Sequence, residues 1–465
     1  MLFNSYAFLF VFLPLVLLGY YTLGRLATAR AAMVFLLAAS IGFYAYWNWR
    51  HVFILLGSIA FNYAIGRRLH RSKSKPLLVS AIVADLALLG YFKYSGFLME
   101  VGRDLGLALP SLHVVLPIGI SFYTFLQIAF LCDVYRGRAD DFDLTRYSLF
   151  VSLFPHSLAG PLVHHAELMS QFRRPEATRW LPSNISSGLI LLSIGLAKKV
   201  LIADTCAPWA NALFDGTGAP TILEAWTGAL AYTMQLYFDF SGYSDMAIGL
   251  GVMFNVKFPE NFDAPYRAAS IADFWRRWHI TLSRWLRDYL YIPLGGSQRG
   301  PARNYLNLFL TMLLGGIWHG AGWTYVAWGA FHGALLVGCR LWSHAPWRIP
   351  LSVSRSLTFL AVVGGWVLFR SRDLDRAGEI LAGMCDWRSW RTEALTVPGG
   401  LYQIALLALL LVLVNVAPTT AAWTESRTLT RRHAAFAALL FAASLFIMRD
   451  VATNLTKSEF IYFQF

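Results

Sequence analysis

Apolar stretches of about 18 residues or more recur from one end of this chain to the other, and they restrict its fold more than any other feature. Coarse apolar windows, some shorter, fall near 6–24, 31–48, 52–66, 76–97, 114–132, 146–163, 185–203, 222–254, 305–342, 356–370, 401–417 and 434–448. Inside a bilayer the backbone must satisfy its own hydrogen bonds, which leaves only helices or closed barrels. The alternating ten-residue strands of a barrel do not appear, so the expected fold is an all-α polytopic membrane protein. Composition agrees: 57% of the 465 residues are hydrophobic and only 14% are charged. The 305–342 window is too long for one span and is expected to break at Gly315-Gly316 and Gly320 into two helices. About eleven spans with some half-helices result, in one membrane domain covering 1–465.

A net charge of +13 need not mean nucleic acid, because Lys and Arg gather in short loops between apolar stretches. Arg67, Arg68, Arg71, Lys73 and Lys75 mark one such loop as cytoplasmic; two crossings earlier, the N-terminus is expected outside. The run Tyr6 to Leu23 lacks the basic region of a secretion signal and reads as a retained first span. Cys132, Cys206, Cys339 and Cys385 show no paired spacing and read as small buried hydrophobes.

The stretch 256–304 is neither a span nor a simple loop. Ile271, Phe274, Trp275, Trp278, Leu282, Trp285, Leu286 and Tyr289 recur at three- and four-residue steps, with Arg277, Arg284 and Asp288 elsewhere. The spacing predicts one amphipathic helix at the cytoplasmic-side interface, its indoles at headgroup depth. Its arginine-rich polar side suits headgroup phosphates, and a helix that only seats the protein in the bilayer is the bland alternative.

Ionisable groups inside spans are costly, so each is a functional candidate. His319, in Gly315-Gly316-Ile317-Trp318-His319-Gly320, suits a general base that takes a proton from an alcohol attacking a thioester. A hydrogen bond between packed helices explains it equally well from spacing alone. His279 is expected on the apolar side of the interfacial helix beside Trp275, Leu282 and Leu286, where a structural role is the more natural reading from the residues alone. In Gln235-Leu236-Tyr237-Phe238-Asp239-Phe240-Ser241-Gly242-Tyr243-Ser244-Asp245 the two acids do not share a helical face unless Gly242 breaks the helix. Either acid suits orienting a histidine or pairing with an interfacial arginine, and a buried polar network is the plainer alternative. His156, His164 and His165 lie in a Pro-Gly-Pro frame that implies irregular or re-entrant backbone rather than a metal site. His332 reads as structural. No phosphate-binding glycine loop, GxSxG or HExxH occurs.

Several of these segments, taken in order, resemble bacterial membrane-bound O-acyltransferases, specifically the alginate O-acetyltransferase branch. They are Phe3-Asn4-Ser5, Leu116-Pro117-Ile118-Gly119-Ile120-Ser121-Phe122-Tyr123-Thr124-Phe125, and Phe154-Pro155-His156 with Ala159-Gly160-Pro161. The stretch Tyr237 to Asp245, Phe274-Trp275-Arg276-Arg277-Trp278-His279, Trp318-His319-Gly320 and Phe460-Ile461-Tyr462-Phe463-Gln464-Phe465 complete the set. The resemblance implies tilted helices ringing a thin central funnel, plus re-entrant and interfacial helices. His319 would be the catalytic histidine and His279 the second family histidine. Trp318, Asp245, Tyr243, Gln235, Trp275, Arg276 and Arg277 are the candidates for substrate or donor binding, with no metal and no bound cofactor. It further implies acetyl-CoA or another acyl-thioester as co-substrate. The expected setting is a bacterial inner membrane, with membrane lipids, a periplasmic acetyltransferase and exopolysaccharide assembly proteins as partners, and no nucleic acid. The same fold also passes D-alanyl groups to teichoic acid or acylates proteins. A non-enzymatic transporter is a further reading, although the two related halves usual in transporters are not visible.

Overall fold

The computed structural model describes residues 1–110, 112, 114–347, 349–390, 399–420, 430–453 and 460–461, with backbone alone at 450–453. The chain-end segment at 462–465 lies outside the described residues. Among the described residues the regular elements are all helical, and the one β feature is an isolated antiparallel bridge between Phe262 and Trp278. Among the described residues, six helices are long and apolar enough to cross a bilayer: Phe8–Leu26, Trp49–Ser72, Lys75–Asp104, Pro182–Phe214, Leu351–Arg370 and Arg431–Arg449. Ala29–Ala45, Ile120–Tyr135 and Gly400–Val416 are shorter apolar helices. The chain is a multi-pass membrane protein.

Its contacts divide into two units. The first comprises Met1–Leu196, Tyr243–Pro259 and Leu429–Gln464. Within it, apolar helices are threaded by polar side chains at helical spacing. Asn62 donates to the Asp85 carboxylate at 2.9 Å, and Ser58, one turn earlier, donates to Gln127 at 3.2 Å. Each bond ties two helices where water is not available to compete. Close crossings need glycine. A Cβ on Gly188 would lie 2.5 Å from the Gly249 carbonyl oxygen, so two helix backbones meet there directly.

The expected span at 146–163 is corrected in this unit. The helix is Leu144–Ser152, nine residues, far short of a crossing. Residues 153–160 continue as buried turns; Pro155 and Pro161 lack the amide hydrogens a continuing helix would use. His156 packs on Phe258 at 5.2 Å, whereas His165 packs on Phe130 at 4.8 Å and Phe150 at 5.5 Å.

The second unit comprises Ala197–Gly242, Glu260–Thr428 and Phe465. Its helices Pro301–His319 and Trp323–Trp342 correct the expected break at Gly315-Gly316. The first helix runs straight through both glycines and ends at His319, with Gly320 extended. Gly316 serves close approach instead: a Cβ there would meet the Tyr325 carbonyl oxygen at 2.5 Å and the Gly329 Cα at 2.8 Å. The helix Ile222–Met253 is likewise unbroken at Gly242, so the two acids of that stretch do stay on different faces.

Candidate active site

Because Pro301–His319 stops at Gly320, His319 stands at the helix end, 5% exposed, with its ring among aromatics. Trp318 lies 4.9 Å from the imidazole, Trp328 5.2 Å and Phe369 5.3 Å, the last two nearly edge-on. Trp328 comes from the next helix and Phe369 from Leu351–Arg370, so three helices build this box. Trp275 joins it through Trp328 at 5.6 Å. The structure therefore groups His319 and Trp275 around one indole that sequence reasoning did not single out, with Trp318 against the imidazole. Trp328 and His332 sit one helical turn apart on the face toward Trp275, and that spacing was the available signal.

The single amphipathic helix expected over 271–289 is corrected here. Two short helices, Ile271–Arg277 and Ile280–Leu286, are separated at Trp278 and His279, and a π-helical turn Arg287–Tyr291 follows. His279 has φ 44° and ψ 53°, the left-handed region that a side chain rarely adopts. Backbone pairing with the preceding segment imposes the break: Asp263 N–H donates to the Arg277 carbonyl at 2.9 Å and Ile280 N–H to the Asn261 carbonyl at 3.0 Å. Strain of this kind persists only where surroundings over-determine it, and it concentrates at functional sites.

Asn261 then dictates the histidine's tautomer. Its Oδ1 accepts from Thr281 N–H at 3.3 Å and Thr281 Oγ1 at 2.9 Å, and it lies 3.1 Å from His279 Nδ1. A backbone N–H only donates, so the Asn261 atom facing it is the oxygen, and Nδ1 of His279 must carry the proton. The neutral ring then keeps its lone pair on Nε2. His279 is 1% exposed and meets Phe240 edge-on at 4.7 Å. Aromatic rings run from this histidine's neighbour to the His319 box: Trp278 to Trp366 at 4.9 Å, and Trp366 to Trp328 at 6.1 Å.

The arginines separate into tied and exposed groups. Arg277 pairs with Asp273 at 3.0 Å and Asp263 at 3.2 Å, and Arg287 with Asp288 at 2.7 Å. Burial raises the Asp273 carboxyl, yet the Arg277 hydrogen bond and the Ala269 amide hold it below its usual range. Arg276 keeps a side chain 73% exposed and is only 3.6 Å from Asp273, so it is the more available of the pair to an anionic ligand. Gln235 is half-buried on Ile222–Met253.

Asp239 takes the buried-network alternative, paired with Lys199 at 2.7 Å; the same ammonium holds Asp204 at 2.7 Å. Lys199 sits on a π-helical turn, Lys198–Ala203, and the sequence reading passed over it. Tyr243 and Asp245 belong to the first unit. There Tyr243 is sandwiched between Phe3 at 4.9 Å and Phe460 at 4.5 Å, while Asp245 is half-buried.

Known proteins match along most of this architecture. The family model of membrane-bound O-acyltransferases matches residues 111–369. The peptidoglycan O-acetyltransferase of Helicobacter pylori is 42% identical over 83% of this chain and 80% of its own. The probable alginate O-acetylase AlgI of Pseudomonas aeruginosa is 45% identical over 85% of this chain and 77% of its own. A teichoic acid D-alanyltransferase of Bacillus subtilis is 26% identical over 49% of this chain and 60% of its own. A buried histidine at a helix end, inside a multi-pass helical membrane protein matched over more than half its length, leads to one conclusion: this chain belongs to the membrane-bound O-acyltransferase family and is an acyltransferase.

Proposed function

We propose that the protein moves an acetyl group from a cytoplasmic thioester, acetyl-CoA, across the inner membrane for O-acetylation of an exported polysaccharide. The observation that carries this reading is His319 in its aromatic box, a single imidazole at a helix end where water is scarce. In such a place an imidazole takes the proton of an attacking hydroxyl, and exclusion of water protects the acyl group from hydrolysis. His279 is the second histidine of the mechanism, presenting Nε2 as an acceptor from a ring fixed by Asn261. Arg276 and Arg277 meet the donor's phosphates, and Trp275, Trp318 and Gln235 line the path of donor and acyl group. No metal or bound cofactor takes part; a periplasmic acetyltransferase finishes the transfer, alongside polysaccharide assembly proteins. The N-terminus lies on the periplasmic side.

The acceptor has two candidates among glycans, because the similar proteins are named for peptidoglycan and for alginate. Matches to D-alanyltransferases cover only about half of the chain, which disfavours that cargo. Acetyl content of secreted polysaccharide and of peptidoglycan, measured in cells carrying wild type or His319→Ala at matched membrane levels, separates these cases. Acetate should vanish from one of the two glycans in the variant. Unchanged acetate in both would sink the proposal.

A further inference from the structure

His332 is a buried ionisable group that a general base at His319 leaves without a task. It lies on Trp323–Trp342 at 0% exposure, its ring 4.9 Å from Trp328 and 5.2 Å from Trp275. Trp328 lies 5.2 Å from His319, so one indole touches both imidazoles. Among the described residues neither ring nitrogen of His332 has a hydrogen-bond partner, and the same holds for Nε1 of Trp275, Trp328 and Trp366. Five polar atoms gathered this way in an aromatic cluster weaken the fold, because each was stripped of water without compensation. A phenyl ring at 332 would fill the same box without that penalty. Local rules are broken in this manner where a site needs the polar group.

The chemistry of the set leans to donation, with four donors to the one acceptor nitrogen of a neutral His332. Indole N–H groups donate and never accept, and a neutral imidazole adds another donor. Donors held in a dry enclosure suit an oxygen acceptor, above all one whose negative charge grows during reaction. A hydroxyl within about 3 Å of one imidazole, attacking a carbonyl whose oxygen sits about 3 Å from another donor, separates the two groups by roughly one aromatic layer. His319 and His332 each touch the Trp328 ring, at 5.2 Å and 4.9 Å.

We propose that His332 and the indole N–H groups of Trp275, Trp328 and Trp366 form a donor subsite for the carbonyl oxygen of the acyl thioester. This rests on the reading of His319 as general base. The attacking hydroxyl gives its proton to His319 as its oxygen bonds to the carbonyl carbon, and the C=O π pair moves onto the carbonyl oxygen. The subsite stabilises that oxyanion. Collapse re-forms C=O and breaks the C–S bond, and the departing thiolate takes the proton from imidazolium.

The test uses full-length protein in membrane vesicles with labelled acetyl-CoA, following acetyl transfer and thiol release, together with thermal melting of the same variants in detergent. His332→Phe should lower kcat by about a hundredfold while KM for acetyl-CoA stays within about twofold, with a melting temperature no lower than wild type. His332→Gln, which restores an N–H donor, should recover a large part of kcat. Gly365→Ala gives a second handle, since its Cβ would lie 2.7 Å from His332 Nε2 and displace the ring without changing its chemistry; kcat should fall here too. Wild-type turnover in His332→Phe would overturn the subsite, as would loss of activity that tracks loss of melting temperature and is not rescued by Gln. His319→Ala in the same assay keeps the two readings apart. An active His319→Ala overturns the general base, whereas an inactive His319→Ala beside an active His332→Phe overturns the subsite alone.

Discussion

At the scale of single residues, the buried charges have the clearest consequences. Lys199 is 5% exposed and Asp239 1%, so their pairing replaces a hydration shell that neither retains. Removing Lys199 takes the shared cation from two carboxylates at once, a loss of about 3–5 kcal/mol. Lys199→Met should therefore lower the melting temperature in detergent sharply, and adding Asp239→Asn should restore part of the loss; a neutral Lys199→Met would show that the carboxylates are solvated. Asp141, in the loop before Leu144–Ser152, behaves differently with pH. Burial raises its carboxyl, but hydrogen bonds from Arg146, the Asp143 amide and Arg173 outweigh that and hold it at about 2. A depressed carboxyl stabilises the fold above its unfolded value near 3.8, and that contribution disappears as pH falls toward 2. Arg146→Ala should move the acid-unfolding midpoint upward, with little change at neutral pH beyond the lost ion pair. Of these residues the histidine at 319 was legible from its motif. Lys199 was not, because its partner is forty positions away on another helix and no local pattern records the pairing.

Elements show where local pattern misleads. Glycine pairs read as helix breaks in an apolar run, yet Gly315 and Gly316 lie inside a continuous helix because a neighbouring helix presses on that face. Gly316→Ala places a Cβ against backbone that cannot rotate aside, and overpacking of this kind costs about 1–3 kcal/mol. Its expected signature is a lowered melting temperature accompanied by reduced acetyl transfer, since the same two helices carry His319 and Trp328. Gly338, whose Cβ would meet nothing within 4 Å, is the control and should tolerate alanine. The opposite error occurred at 271–289. Three- and four-residue spacing favours one helix, but long-range backbone bonds to Asn261 and Asp263 capture the amides and carbonyls that would have continued it. His279 therefore stands at a left-handed kink rather than along a helical face, and its tautomer is set by a side chain eighteen residues earlier.

For the whole molecule, charge distribution carries the topology. Arg67, Arg68 and Arg71 lie in the last turns of Trp49–Ser72, and Lys73 closes that helix in a left-handed conformation before Lys75 opens the next. Reporter fusions at 72–75 should report cytoplasm and fusions at the N-terminus the periplasm; the reverse result would invert the proposed direction of acyl transfer. What the sequence by itself determined is the class of fold, the positions of most apolar helices to within a few residues, and the family. Those follow from apolar length and ordered motifs, which are properties of contiguous chain. Only the tertiary structure decided which groups share an environment: Trp328 against both His319 and His332, Asn261 on His279, Lys199 on Asp239. The physical reason is that burial without water makes each polar atom depend on whichever distant segment reaches it, and that choice is made by packing rather than by spacing along the chain.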